Sequence, residues 1–179
     1  MSTMTDADAL KAMRACHRQL AEEVRARVAA LRRAVAAADG SYVEQAGELT
    51  SFLSDEVLPH AAAEELTLYR SAATRSALAL ALNEMTSEHR RLVALTEDLS
   101  NATSGPEALL AAEQVSALLG EHLEREDGQL LRRLYEEGRV NLPELVVDVR
   151  YATNRIRSEP PAGAGAFFRD RLAISPARP

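Results

Sequence analysis

Apolar residues recur at steps of three and four along most of the chain, the signature of amphipathic helices rather than strands. The first stripe, Leu10, Met13, His17, Leu20, Val24, Val28, Leu31 and Val35, predicts a helix over residues 8–38 that Asp39 and Gly40 end. A second helix starts near Ser41 and carries Tyr42, Ala46, Leu49, Leu53, Val57, His60, Glu64 and Leu68 on its stripe. Pro59 lies inside it and predicts a bend one turn earlier. The third begins around residues 74–76 and aligns Leu78, Ala81, Met85, His89, Leu92, Thr96 and Leu99. Residues 101–106 (NATSGP) compose a turn. The fourth helix starts at Pro106 or Glu107, aligns Ala108, Ala111, Val115, Leu119, His122, Glu126 and Leu130, and stops at Gly138.

Four long helices with short links predict an all-α, up-down-up-down four-helix bundle. A shorter fifth helix is expected over residues 142–156, with Leu145, Val146 and Val149 as its apolar side. A break at residues 159–165 and a short element or docked tail at 167–174 complete the prediction. The chain of 179 residues reads as a single domain, with a bundle core over about 8–138 and a C-terminal extension over about 141–174.

Composition supports helices over sheets. Aromatic residues make up 4% of the chain, Trp is absent, and alanine is abundant. The balance of 21 basic and 27 acidic residues, −6 at pH 7, argues against a nucleic-acid backbone binder. One cysteine excludes an intrachain disulfide and a thiolate metal cluster. The N-terminal residues lack the pattern of a signal peptide, and no apolar run is long enough to span a membrane, so a cytoplasmic protein is expected.

The 4 histidines change the picture. His17, His60, His89 and His122 fall on four different helices, each on the apolar stripe. His60 and His122 are each followed four residues later by a glutamate, Glu64 and Glu126. That spacing stacks imidazole and carboxylate one turn apart on one helix face. Four imidazoles and two carboxylates are thus aimed at one volume, a donor set suited to iron, manganese or zinc. Two metals sharing the carboxylates use the set better than one. Hydrogen-bonded core histidines with snorkelling glutamates are the bland alternative.

These residues also resemble the hemerythrin-like, or HHE cation-binding, family. The resemblance rests on His17, the Pro59-His60-x-x-x-Glu64-Glu65 stretch leading to Leu68-Tyr69, Glu88-His89, and His122-Leu123-x-x-Glu126. It covers roughly residues 10–136. It implies a four-helix bundle around two iron ions with an oxo or hydroxo bridge, manganese or zinc being the alternative metals. The oxygen-carrying branch has a His-x3-His pair in the third helix; here Met85 and Val93 flank His89 at those positions. The match is to a branch with fewer histidines. His17 and His60 would serve one metal, His89 and His122 the other, and Glu64 and Glu126 would bridge; a crossed arrangement is the alternative. Asp127 also follows His122, but Glu126 lies on the stripe and is preferred.

Tyr42, Tyr69 and Glu65 are candidates for the surroundings of the centre. Glu65, Glu56 and Glu88 read first as helix surface and second as extra ligands or partners for imidazole N–H groups. Cys16 reads as core packing. Arg150, Tyr151, Asn154, Arg155 and Arg157 read first as the outer side of a helix covering the bundle, and second as groups facing a small anionic organic substrate. The resemblance implies partners of small size, O2, H2O2 or NO, and a monomer or homodimer. The expected activity is catalase-like peroxide handling or oxidase chemistry, against non-enzymatic sensing of oxygen, nitric oxide or iron.

Overall fold

The computed structural model describes residues 4–158. Five helical rods make up the described residues, with no strand among them. Helix α1 spans Asp6–Ala37. It begins two residues before the predicted start because Thr5 and Asp8 form a reciprocal capping box. The Thr5 hydroxyl accepts from the Asp8 N–H at 3.2 Å, and the Asp8 carboxylate accepts from the Thr5 N–H at 3.2 Å. Ala38, with φ 55°, closes the helix in the left-handed region, and Gly40 follows with φ 87°.

Helix α2 occupies residues 42–72 and is continuous, but it widens twice into π-helical turns, at Leu53–Val57 and at Glu65–Tyr69. The first widening answers Pro59. Proline has no N–H for the ordinary bond, and the chain shifts register so that the Leu58 N–H reaches the Leu53 carbonyl. This is the local distortion expected one turn before Pro59. Helix α3 spans Ala79–Asn101 after a short 3-10 turn at Ser76–Leu78. Helix α4 runs over residues 105–137, with its own π-helical turn at Glu126–Leu131, and ends at Gly138 with φ 58°. Helix α5 spans Leu142–Ser158. The tail expected over residues 167–174 lies outside the described residues.

The first four helices pack as a bundle in which α1 adjoins α2 and α4, and α3 adjoins the same two. Leu31, Leu49, Leu53, Leu68, Met85 and Leu92 are fully buried between them. Gly105 opens α4 one residue earlier than predicted, and a Cβ there would come within 3.2 Å of Val35 Cγ2. The missing side chain lets the start of α4 press against α1.

Helix α5 lies across α1 and α2. Its cover explains a feature that periodicity does not reach: residues 57–65 of α2 are buried on every side. Ala61, Ala62 and Ala63 fill this stretch between His60 and Glu64, and their small side chains let α5 approach on the face away from the bundle axis.

Candidate metal centre

The bundle brings all six predicted ligands into one buried volume. His17, His89, His122, Glu64 and Glu126 are each at most 1% exposed, and His60 is 7% exposed. His17 Nε2 lies 3.1 Å from Glu64 Oε1, and His60 Nε2 lies 2.9 Å from the same oxygen. On the other side, His89 Nε2 and His122 Nε2 stand 3.0 Å apart. Ligand atoms of His17, His60 and Glu64 all fall within 4.8 Å of one another, and so do those of Glu64, His89 and His122. Glu64 therefore belongs to both groups. Glu126 Oε2 lies 3.7 Å from His17 Nε2 and 3.8 Å from His122 Nε2, midway between the two halves.

Several polar atoms at the middle lack a well-formed hydrogen bond within the protein. Glu64 Oε2, both carboxylate oxygens of Glu126, and His60 Nε2 are buried and accept or donate no well-formed hydrogen bond. Buried carboxylate oxygens without donors are costly and rare. A cation among them removes that cost, and imidazole with carboxylate is the donor chemistry of iron, manganese and zinc. The residues fit a metal centre.

A ring of outer carboxylates orients the imidazoles. Asp127 Oδ1 lies 2.8 Å from His17 Nδ1, Glu65 Oε1 lies 3.0 Å from His89 Nδ1, and Glu88 Oε2 lies 2.9 Å from His122 Nδ1. When each Nδ1–H donates outward, the Nε2 lone pair faces the centre, as a metal ligand requires. Arg125 in turn pairs with Glu88, and Arg14 donates to the Asp127 carbonyl at 3.1 Å. Each of these carboxylates neighbours an inward-facing group in sequence: Glu65 follows Glu64, Asp127 follows Glu126, and Glu88 precedes His89. One residue along a helix turns about 100°, onto the flank that meets the next helix.

The surface reading of Glu65 and Glu88 is therefore corrected: both turn inward as imidazole partners. Asp127, set aside in favour of Glu126, has a place of its own behind His17. Glu56 does stay near the surface, paired with Arg157 at 2.6 Å. Tyr69 is buried, its ring stacked on that of His89 with centroids 5.4 Å apart. Its hydroxyl is 3.5 Å from His89 Nε2 and faces Glu126 without completing a well-formed hydrogen bond to it. Tyr42 is a correction in the other direction. It packs near Gly105 at the far end of α2, on the order of 25 Å from His60 along the helix, because the interval of 18 residues rises 1.5 Å each. Cys16 is half-buried: it packs against the edge of the core, as expected, and also borders a cavity.

Electrostatics follow from burial. Burial alone disfavours a charged His17, but its hydrogen bonds to Asp127 and Glu64 outweigh this and raise it well above the usual imidazole range. Burial likewise works against the Glu64 carboxylate, yet His60 and His17 hold it well below the usual carboxyl range. Glu126 lacks such support. Burial, then the negative Glu64, push its carboxyl up to about 8. Burial lowers His89 and raises Tyr69, whose hydroxyl stays protonated beside Glu126.

Two of the three π-helical turns among the described residues sit at this centre. One begins directly after Glu64 and the other at Glu126 itself. Such turns insert one residue into the helical register, and they often mark functional sites.

No helix among the described residues is long and apolar enough to cross a membrane. The sequence model of the hemerythrin HHE cation-binding domain matches residues 8–134. Comparisons with curated proteins and with solved structures gave no match.

Proposed function

The chain belongs to the hemerythrin HHE cation-binding domain family, and from that premise we propose that it holds two iron ions and reacts with O2 or H2O2. The ligands in this reading are His17 and His60 for one metal, His89 and His122 for the other, with Glu64 and Glu126 between them. One observation carries it: Glu64 belongs to both ligand groups, while Glu126 Oε2 is 3.7 and 3.8 Å from one histidine of each. Carboxylates so placed put negative charge between two cations. Two iron ions held by these residues would supply two-electron redox chemistry toward O2 or H2O2.

The chain's own residues set the conditions for that chemistry. Asp127, Glu65 and Glu88 hold three imidazoles in the tautomer that presents Nε2 inward. Tyr69 keeps its proton and can donate it as a hydrogen bond at the centre. A cavity of about 540 Å³ lined by Glu65, Tyr69, Arg70 and Arg90 reaches the edge of the site and admits small molecules. Peroxide disproportionation or O2-dependent oxidation is the favoured activity, in a reducing cytoplasm.

The test begins with metal analysis and a near-ultraviolet spectrum of protein expressed with ample iron. H2O2 is then added and O2 evolution followed. Sustained turnover supports the enzyme. Slow bleaching or a reversible spectral change supports instead a sensor of oxygen, nitric oxide or iron. A chain that takes up neither iron nor manganese overturns the metal reading altogether.

A further inference from the structure

The centre has an approximate two-fold repeat in which α1 and α2 correspond to α3 and α4. His17 corresponds to His89, His60 to His122, and Glu64 to Glu126. The outer carboxylates follow the same rule. Glu65 on α2 serves His89 on α3, and Asp127 on α4 serves His17 on α1. Glu88, the residue before His89, serves His122 and is itself paired with Arg125. The corresponding residue before His17 is Cys16. Among the described residues, no carboxylate other than Glu64 lies within ion-pair distance of His60. The repeat breaks at this one corner.

A cavity of about 440 Å³ opens there, in the size range of sites for small organic molecules. His60 is the one predicted ligand in its lining, and Cys16 stands beside it. His60 Nε2 is buried against Glu64, so the part of the ring that reaches the cavity is the part away from Nε2. The opposite wall comes from α5, residues 142–158, which lie beyond the family match at 8–134. Val146 and Val149 of α5, with Met13 of α1, make the cavity partly apolar, whereas Arg150, Asn154 and the ion pair of Arg157 with Glu56 add polar groups. Arg157 is neutralised by Glu56 at 2.6 Å. Arg150 has no ion-pair partner among the described residues, and its charge acts on Cys16 within the cavity.

We propose that this cavity binds a small organic carboxylate between His60 and Arg150, so that the ligand supplies the carboxylate that Glu88 supplies between His122 and Arg125. The apolar body of the ligand lies against Met13, Val146 and Val149. A guanidinium offers a carboxylate two parallel N–H donors, and an amide of the same shape forfeits the charge. Occupancy therefore completes the fourth imidazole in the way the other three are completed by the protein. The role of His60 rests on the metal reading above; anchoring by Arg150 does not.

The experiment titrates the full, iron-loaded chain, its metal content measured beforehand, with propionate, benzoate and phenylacetate by calorimetry. The matching amides serve as uncharged controls. At least one carboxylate is expected to bind at least tenfold more tightly than its amide. Arg150→Gln is expected to weaken that binding at least tenfold with metal content unchanged, while Arg70→Gln, at the other cavity, leaves it as it was. Cys16→Glu restores the repeat and is expected to abolish binding. Equal binding of acid and amide overturns the proposal, and so does carboxylate binding that Arg150→Gln does not alter, the result of an anion sitting directly on metal. A chain without metal is a failure of the metal reading and is recognised before the titration begins.

Discussion

The Nε2 atoms of His89 and His122 stand 3.0 Å apart on facing helices, with both rings buried. Each ring has its Nδ1 within hydrogen-bond distance of an outer carboxylate, Glu65 for His89 and Glu88 for His122. If both Nδ1 groups donate, both Nε2 atoms are left as acceptors facing one another. Two lone pairs at that distance repel unless a proton or a cation lies between or beside them. Burial holds His89 toward its neutral form, which disfavours the proton. His89→Ala or His122→Ala is therefore expected to lower bound metal to one ion per chain or none, with the helical circular-dichroism spectrum retained. Full metal content in either variant assigns this half of the site to structure.

Glu126 makes metal binding depend on pH. In the metal-free chain burial and Glu64 push its carboxyl up to about 8, whereas an unfolded glutamate titrates near roughly 4.3. Between those values the folded state keeps a proton that the unfolded state has lost. The contribution of Glu126 to metal-free stability is thus full below the unfolded value and is lost as pH rises through about 8. A metal ion must displace the same proton, and that of His17, which is also held above its usual range, so metal affinity is expected to rise with pH through that range. Thermal melts of the metal-free protein at about pH 6 and about pH 9, with metal titrations at both, measure the two slopes. Glu126→Gln should flatten the stability slope and weaken metal binding; an unchanged slope places the proton on another group.

The outer carboxylates are expected to act on affinity rather than on folding. Asp127 lies 2.8 Å from His17 Nδ1 and is itself partly exposed, and when it is lost the buried His17 ring can shed the proton that Asp127 helps to hold. Removing such a partner commonly weakens a metal site by roughly tenfold to a hundredfold. Asp127→Ala should fall in that range in a competition titration against a chelator, and Asp127→Asn, which keeps an acceptor oxygen, should lose less. Equal affinity for wild type and Asp127→Ala would show that the His17 ring is fixed by packing alone.

The inward placement of the four histidines and of Glu64 and Glu126 is legible in sequence because burial and helical period point the same way. His60 and Glu64 share a face by simple spacing, and the apolar stripe says that the face looks inward. The outer partners obey a different geometry. Glu88 touches His122 across 34 positions and Asp127 touches His17 across 110, so each is an ordinary helical acid until the packing of two helices is known. Tyr42 failed for the converse reason. It lies on the correct stripe, but a stripe fixes the face and says nothing about depth along the bundle. The burial of Ala61–Ala63 on all sides likewise depends on α5, which period alone does not place.

Tyr69 offers a test of chemistry apart from metal binding. Its ring stacks on His89, and its hydroxyl lies 3.5 Å from His89 Nε2 and faces Glu126. Burial raises the hydroxyl well above the usual phenol range, so it keeps its proton and acts as a donor at neutral pH. Under the proposed function, a donor at the edge of the centre would stabilise negative charge on the oxygen substrate, and such single contacts are worth on the order of a hundredfold in rate. Tyr69→Phe keeps the stacked ring and removes only the oxygen. It should retain the metal content of the wild type while the turnover number for H2O2 falls at least tenfold and KM changes little. The same variant should push the Glu126 carboxyl still higher, because the tyrosine hydroxyl is one of the groups that lowers it. Loss of metal from Tyr69→Phe would make the residue a support for the His89 ring, and unchanged turnover would remove it from the chemistry.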